Sequence, residues 1–111
     1  MLNKLCNEVT ELINGKNIFI TGGTGSFGYK ITNILLTQYK PNKIIIFSRD
    51  EFKQYNMKQI FPDSKYPNIR YFIGDVRDYE RLETSTKDID ILFHAAAMKQ
   101  VDTIEYNPLE A

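Results

Sequence analysis

A cluster of glycines near the N-terminus has the spacing that lets backbone amides bind phosphate. The residues read Gly22-x-x-Gly25-x-x-Gly28, and also Gly23-x-Gly25-x-x-Gly28, between an apolar run and a set of apolar positions at helical spacing. Glycine permits the tight turn and the close approach of a pyrophosphate, and the free N–H groups of the helix face its phosphates. The pattern therefore predicts a nucleotide-binding turn between a strand and a helix. A turn that only connects the two elements is the alternative.

A second polar cluster lies about 20 positions after the glycines, where dinucleotide-binding folds contact the ribose. The sequence there is Ser48-Arg49-Asp50. The planar guanidinium of Arg49 suits a 2′-phosphate, and Ser48 adds a hydroxyl donor, so the cluster favours NADP over NAD. Asp50 is the counter-argument, because a carboxylate there could accept the ribose hydroxyl. In the alternative interpretation Asp50 and Glu51 interact with a helix dipole and Arg49 is solvated.

A third candidate follows the next apolar run, at Gly74-Asp75-Val76. A carboxylate at this place lies over the adenine pocket and could accept the exocyclic amine, while the Val76 amide bonds a ring nitrogen. The alternative is that Asp75, or rather Asp78, caps the helix that follows.

The last apolar run ends in His94 and three alanines at 95–97. Small residues such as Ala95 and Ala96 suit a place where a cofactor passes close to the backbone, although they also fill tight corners of any sheet. Lys99 stands at the mouth of the predicted crevice, where it either bonds an anionic substrate or cofactor phosphate or is solvated. His94 is interpreted as packing at the strand end, and no catalytic or metal-binding residue is assigned.

The elements that must position these residues alternate between strand and helix. Strands are predicted at 17–21, 43–47, 69–73 and 89–94, with helices at 26–39, 48–60 (from a Ser-x-x-Glu capping box) and 78–86. This alternation predicts an α/β fold of Rossmann type, a parallel sheet of order 3-2-1-4 with flanking helices. The crevice beside strand 1 is then the topological switch point, where ligands bind.

The sequence predicts two parts of the chain. Residues 1–15 are predicted to form an amphipathic helix, which is a packing extension or a dimerisation arm, and residues 16–111 are predicted to form the NADP-binding domain. The segment Asn107-Pro108-Leu109-Glu110 has the residues of a helix start without a helix body, which predicts the truncated, N-terminal half of a longer enzyme. A complete small protein that pairs its open sheet edge with a partner is the alternative.

The composition narrows the class of protein. Fourteen basic and fourteen acidic side chains give a net charge of zero, which offers no argument for nucleic acid or an anionic membrane as partner. No run approaches the ~20 apolar residues that span a bilayer, and no signal peptide is visible. With the single cysteine, Cys6, these features predict a cytoplasmic protein in a reducing compartment.

Four segments together resemble a known family. TGGTGSFG, FSRDEFKQ, FIGDVRDYERL and HAAAMKQVDTIEYNPLEA occur in this order and spacing. They resemble the extended short-chain dehydrogenase/reductase superfamily and, within it, the inverting UDP-N-acetylglucosamine 4,6-dehydratases of bacterial polysaccharide and flagellar-sugar biosynthesis. The glycine motif marks only the superfamily, whereas the second and fourth segments are specific to this branch.

The resemblance implies roles for the candidate residues. The pyrophosphate would be held by Thr24, Gly25, Ser26 and Phe27, with Gly22 and Gly28 as the other cofactor-binding residues of the turn. The adenosine phosphate end would be surrounded by Ser48, Arg49, Asp50, Glu51, Phe52 and Lys53. Asp75 and Val76 would hold adenine, Ala95 and Ala96 would lie near the central ribose region, and Lys99 would reach toward cofactor and nucleotide sugar.

The resemblance also implies a reaction. NADP takes hydride from C4 of the hexose, water leaves across C5–C6, and hydride returns to C6 with C5 inverted. The catalytic tyrosine–lysine pair of the family would fall after the last residue, so this chain alone should not catalyse the reaction. Family members are commonly homo-oligomers. Two other hypotheses stay open, a sugar-nucleotide 4-epimerase and a catalytically inactive nucleotide-binding module.

Overall fold

The computed structural model describes residues 2–95, with side chains from residue 8 onward. Four strands and four helices alternate along this part of the chain. The helices are α1 (Leu2–Ile13), α2 (Ser26–Gln38), α3 (Glu51–Ile60) and α4 (Tyr79–Ser85), and the strands are β1 (Asn17–Thr21), β2 (Lys43–Ser48), β3 (Ile69–Ile73) and β4 (Ile91–His94). None of these helices is long and apolar enough to cross a membrane.

The strands form one parallel sheet of order β3-β2-β1-β4. This confirms the predicted Rossmann-type order. The central strands β1 and β2 are the most apolar in sequence, with almost every residue buried. Such continuous apolar runs are typical of parallel strands that are covered on both faces.

The two faces of the sheet carry different cores. One face packs isoleucines of β1 and β2 against α2 and α3, and its buried members are Ile18, Ile20, Leu35, Ile44, Ile46, Met57, Phe61, Ile69 and Ala95. On the other face Phe19, Ile45 and Phe47 pack beside Leu82 of α4. Burial of a side chain such as Phe19 contributes roughly 1.5–3 kcal/mol to the free energy of folding. The buried side chains of β1 and β2 therefore hold these two strands, and the residues at their ends, in place.

Several element boundaries differ from the sequence prediction. Helix α3 begins at Glu51, and its N-cap is Asp50, whose carboxylate accepts from the Lys53 amide at 3.0 Å. Ser48 is instead the last residue of β2, so the predicted capping box at Ser48 is wrong. Strand β4 begins at Ile91 rather than at residue 89, because Asp88 adopts a left-handed φ of 64° in the preceding turn.

The N-terminal helix is tied to the sheet domain through its C-terminal end. The Asn14 side chain accepts from the Lys40 amide at 2.8 Å, and the Gly15 amide donates to the Lys40 carbonyl at 2.9 Å. Ile13 packs beside the core of the α2 and α3 face. The predicted helical segment is therefore present and ends against the turn between α2 and β2.

Candidate functional site

The polar candidates gather at one edge of the sheet, where all four strands end. Thr21 lies beside Phe47 in the register of β1 and β2 and beside His94 in the register of β1 and β4. Ser48 lies beside Ile73 at the end of β3. Carboxyl ends of parallel strands meet at the same edge, and ligands of open α/β sheets bind there.

The glycine turn is fixed to this edge by its backbone. Gly22 has a φ of 64°, a left-handed conformation that favours glycine, and its amide donates to the Phe47 carbonyl at 2.8 Å. The Gly25 amide donates back to the Gly22 carbonyl at 3.1 Å. Thr24, between them, is buried. The turn therefore lies directly beside the end of β2.

Gly28 allows the helix to press against this turn. A Cβ atom at Gly28 would fall far inside van der Waals contact with the backbone of Gly23. The sequence predicted that Gly28 would bring the helix close to the strand; the close neighbour is the turn itself. The absence of a side chain at Gly28 is what places the first turn of α2 against the glycine loop.

The first amides of α2 precede its hydrogen-bond ladder. Gly25 is the N-cap, and the first intrahelical bond runs from the Tyr29 amide to the Gly25 carbonyl at 2.9 Å. The cap makes no side-chain hydrogen bond. The amides of Ser26, Phe27 and Gly28 therefore point out of the helix end without an intrahelical acceptor. Such an end, with its positive dipole, suits a phosphate group.

The second predicted contact group surrounds the start of α3. Arg49 projects into solvent with its side chain 70% exposed, while the Asp50 carboxylate is occupied as the helix cap. Glu51, Phe52 and Lys53 are exposed on the first turn of the helix. The arginine is thus an exposed cation at this strand end, and the carboxylate serves the backbone.

Asp75 forms the third group together with two arginines. Its carboxylate accepts from the Arg77 guanidinium at 2.7 Å and from the Arg77 amide at 2.9 Å, and Arg49 lies 3.8 Å away. Chiefly the side-chain hydrogen bond from Arg77, then the backbone one, lowers the pKa of Asp75 to about 2. Asp78, not Asp75, caps α4 by accepting from the Arg81 amide at 3.2 Å.

Two polar contacts at this edge were not expected from the sequence. The Thr21 hydroxyl lies 2.6 Å from Nδ1 of His94, so the histidine makes a polar contact across the β1–β4 pair instead of only packing at the strand end. Gln54 is buried on α3 and donates to both Ser48 and the carbonyl of Phe72. Its signal in the sequence was a glutamine at the apolar spacing of Met57 and Phe61.

The predicted contact residues thus fall into three adjoining places. The turn and helix start hold Gly22, Thr24, Gly25, Ser26, Phe27 and Gly28; the end of β2 and start of α3 hold Ser48, Arg49, Asp50, Glu51, Phe52 and Lys53; and the end of β3 holds Asp75 and Val76. Ala95 is buried directly after β4. Ala96, Lys99 and the predicted helix start at 107–110 lie outside the described residues.

Comparison with known proteins adds a family to this geometry. A family model described as polysaccharide biosynthesis protein matches residues 18–111. The chain is 61% identical over 99 residues to an inverting UDP-N-acetylglucosamine 4,6-dehydratase of Campylobacter jejuni subsp. jejuni (strain 81-176). It is 47% identical over 103 residues to a UDP-glucose 4-epimerase of Rickettsia bellii.

The matches cover most of this chain and a minor part of each relative. The chain spans 29% of the length of the Campylobacter protein and 28% of the Rickettsia protein, with 89% and 86% of its own length aligned. Among solved structures, the X-ray structure of Pen from Bacillus thuringiensis matches with a TM-score of 0.70 and 45% identity, over 89% of this chain and 29% of that one.

Proposed function

The chain belongs to the polysaccharide biosynthesis protein family, and on that premise we propose that it is the cofactor-binding part of an NADP-dependent, inverting UDP-N-acetylglucosamine 4,6-dehydratase. Two dehydratase relatives are 61% and 60% identical, against 47% for the epimerase named above. Residues 16–111 are then the nucleotide-binding domain and residues 1–15 its N-terminal extension.

One observation carries the cofactor site. Helix α2 begins at a glycine that offers no capping side chain, directly beside the end of β2, and its first amides precede the hydrogen-bond ladder. A pyrophosphate fits this end because it is anionic and accepts several hydrogen bonds. The residues present therefore fit a dinucleotide, with Thr24, Gly25 and Ser26 lining its phosphates.

The adenosine end supports NADP over NAD. The Asp50 carboxylate is bound to the Lys53 amide and caps α3, so it is a poor acceptor for a ribose 2′-hydroxyl. Arg49 is exposed at the same strand end and offers a planar cation to a 2′-phosphate. Asp75 and Val76 follow β3 at the same end of the sheet, and on this proposal they hold the adenine.

The mechanism assigns this chain binding and orientation. When bound, the nicotinamide cofactor supplies hydride abstraction at C4 of the hexose and hydride return at C6 after loss of water. The α2 amides and the Gly22 turn fix the position of the linking phosphates, and the groups at the ends of β2 and β3 fix the adenosine. Ala95 and Ala96 after β4 would lie near the central ribose region of the cofactor, and Lys99 would reach toward the cofactor and the nucleotide sugar. Rigid placement of this kind lowers the entropic part of the barrier to hydride transfer.

The test uses the protein expressed from its complete reading frame, incubated with UDP-N-acetylglucosamine that carries deuterium at C4. The expected product is a 4-keto-6-deoxy sugar nucleotide that has lost one water and holds deuterium at C6, identified by mass spectrometry and NMR. Absence of any dehydrated product contradicts the dehydratase proposal. Titration calorimetry of the 111-residue chain with NADP tests the cofactor site separately.

A 4-epimerase is the second candidate, and the Rickettsia bellii relative is the observation that favours it. Both reactions begin with oxidation at C4, so the same cofactor site serves both. An epimerase converts the same substrate into an isomer of unchanged mass. Recovery of that isomer in place of the dehydrated product would assign the chain to the epimerase class.

A further inference from the structure

Gln54 makes contacts that the proposed cofactor site does not yet use. Its side chain is 2% exposed and stands on the inner face of α3, in line with the apolar residues Met57 and Phe61. A glutamine in such a position is unusual, because burial of an amide costs free energy unless its polar atoms are bonded. Its partners therefore indicate what the residue does.

The Gln54 amide joins the ends of two strands. Nε2 donates to the carbonyl of Phe72 on β3 at 2.7 Å and to the hydroxyl of Ser48 on β2 at 3.0 Å. A longer contact of 3.5 Å reaches the Ser48 carbonyl, which also accepts from the Gly74 amide at 2.9 Å. One buried side chain thus spans the gap between β2 and β3 where both strands leave the sheet.

This contact decides which way the Ser48 hydroxyl is used. A hydroxyl has one hydrogen and two lone pairs, and the Gln54 NH₂ group can only donate. Ser48 must therefore accept from Gln54, so its own hydrogen remains for another acceptor. Within residues 8–95, Ser48 Oγ donates no hydrogen bond. The Ser48 hydroxyl can therefore donate a hydrogen bond to a ligand at the end of β2.

The Gln54 hydrogen bonds also hold the backbone that precedes Arg49. Arg49 comes directly after Ser48, and Asp75 lies three positions after Phe72. Arg49 and Asp75 form an ion pair of 3.8 Å, which joins the same two strand ends that Gln54 joins. Loss of the Gln54 bonds would release the end of β2 from the end of β3, and with it the backbone from which the Arg49 side chain extends.

We propose that Gln54 is a positioning residue for recognition of the 2′-phosphate of NADP. It acts through the Ser48 hydroxyl and the Arg49 guanidinium and does not itself touch the nucleotide. The inference rests on the proposed function, since it requires that the adenosine end of the cofactor lies at the end of β2.

The experiment compares ligands that differ only in the 2′-phosphate. Binding of adenosine 2′,5′-bisphosphate, adenosine 5′-monophosphate, NADP and NAD is measured by calorimetry for the wild-type chain and for Gln54→Met, which keeps the length and removes the amide. We expect the preference for the 2′-phosphorylated ligands to fall about tenfold, the usual effect of losing a hydrogen bond to a charged group. Affinity for NAD should change by no more than about twofold.

A second variant and a matched control keep the test independent of folding. Gln54→Glu replaces the donor by an acceptor, which takes the Ser48 hydrogen for itself and adds negative charge, so the preference should fall further than in Gln54→Met. Gln59→Met changes an exposed glutamine on the same helix, whose Nε2 bonds only the Tyr55 carbonyl at 3.3 Å, and should leave the preference unchanged.

The outcomes separate the two claims. If the wild-type chain prefers the 2′-phosphorylated ligands and both Gln54 variants keep the same preference, Gln54 is only structural and the inference is wrong. Equal loss of affinity for all four ligands has the same meaning, because it shows no link to the 2′-phosphate. If the wild-type chain shows no preference for the 2′-phosphate, the NADP proposal fails and the inference fails with it.

Discussion

Three helices begin at the same edge of the sheet, and one of them begins differently from the other two. Helices α3 and α4 are capped by aspartates, Asp50 and Asp78, whose carboxylates accept from the amides three residues later. Helix α2 begins at Gly25, which has no side chain to place there. The first amides of any helix have no acceptor within the helix. In α3 and α4 the capping aspartate accepts from one of these amides, whereas in α2 no capping side chain does so.

This difference separates groups that stabilise the fold from groups that serve a ligand. A capping carboxylate contributes about 1 kcal/mol to the free energy of folding relative to alanine, and the glycine cap of α2 forgoes a few tenths of a kcal/mol of it. It gains room for an anion instead, because a carboxylate at Gly25 would occupy the place of a phosphate. On the proposed function, the chain places stability in α3 and α4 and leaves the start of α2 for the phosphates of the cofactor.

The largest expected effect comes from adding a side chain at Gly28, where α2 packs against the glycine turn. Gly28→Ala places a methyl group against the Gly23 backbone, which cannot move aside as a flexible side chain can. We expect the free energy of unfolding to fall by about 3 kcal/mol, the upper end for overpacking, and NADP binding to be lost. Urea unfolding and calorimetry measure the two effects.

Gly15→Ala is the matched control for that variant. Gly15 has a left-handed φ of 76° but open space around its Cβ position, so the cost there is backbone strain of roughly 1–2 kcal/mol. NADP affinity should be unchanged in this control. If Gly28→Ala binds NADP as well as the wild-type chain, close packing of the helix on the turn is not required for the site.

A second substitution converts the start of α2 into the capped type. Gly25 has an extended backbone, with φ −83° and ψ 177°, that any residue can adopt. Gly25→Asp should therefore cap α2 and raise the free energy of unfolding by a few tenths of a kcal/mol, the measured gap between glycine and aspartate caps. NADP affinity should fall about a hundredfold, because the new carboxylate repels the pyrophosphate.

Gly25→Asn separates charge from capping. Asparagine caps a helix as well as aspartate does, yet it carries no charge. Its effect on stability should match that of Gly25→Asp, while its loss of NADP affinity should be much smaller. Equal losses in the two variants would mean that the site excludes any side chain at Gly25, and that repulsion between charges is not the cause.

Removing the aspartate cap of α3 tests whether that cap contributes to stability and not to cofactor binding. Asp50→Ala leaves the Lys53 amide without its acceptor at 3.0 Å and should lower the free energy of unfolding by about 1 kcal/mol. Urea unfolding measures the change. Preference for NADP over NAD should persist, because Asp50 serves the helix and Arg49 the phosphate. A shift of preference toward NADP would instead show that Asp50 contacts the ribose.

The fold could be predicted from the sequence because its strongest signals are patterns that extend over whole strands and helices. Nearly continuous isoleucine in β2 predicts a buried parallel strand, and strand–helix alternation leaves few topologies open. Local capping was harder to predict. Ser48-x-x-Glu51 has the residues of a capping box, but Ser48 is held in β2 by its pairing with Ile73. Sheet pairing overrode the local preference of the sequence.

The candidate site was predicted in its positions and less well in its contacts. Motif spacing gives which residues stand at the strand ends, so Gly22, Ser48 and Asp75 gather there as expected. Contacts between side chains depend on three-dimensional packing, which spacing does not encode. The engagement of Asp75 by Arg77 and the bridge made by Gln54 therefore emerge only from the structure.

The smallest expected effect concerns the charge on Asp75, which differs from the two capping aspartates in accepting from a guanidinium. Arg77 supplies both hydrogen bonds that lower the pKa of Asp75 to about 2, from an ordinary value of 3.8. A lowered pKa adds stability that is present above pH 3.8 and is lost as the pH falls toward about 2. Arg77→Gln removes the side-chain bond and keeps the backbone one, so it should return the pKa part of the way toward 3.8 and weaken the pH dependence within this window.

Two measurements check this expectation. NMR titration of the Asp75 carboxyl carbon reports the pKa directly, and urea unfolding across the same pH window reports the linked stability. Arg49→Gln is the matched variant, because Arg49 acts only at 3.8 Å and ranks last among the causes of the shift. It should raise the pKa less than Arg77→Gln does. An equal rise in both variants would mean that the Arg77 hydrogen bonds carry no more weight than a distant charge, and Asp75 would then be bound as loosely as a surface ion pair.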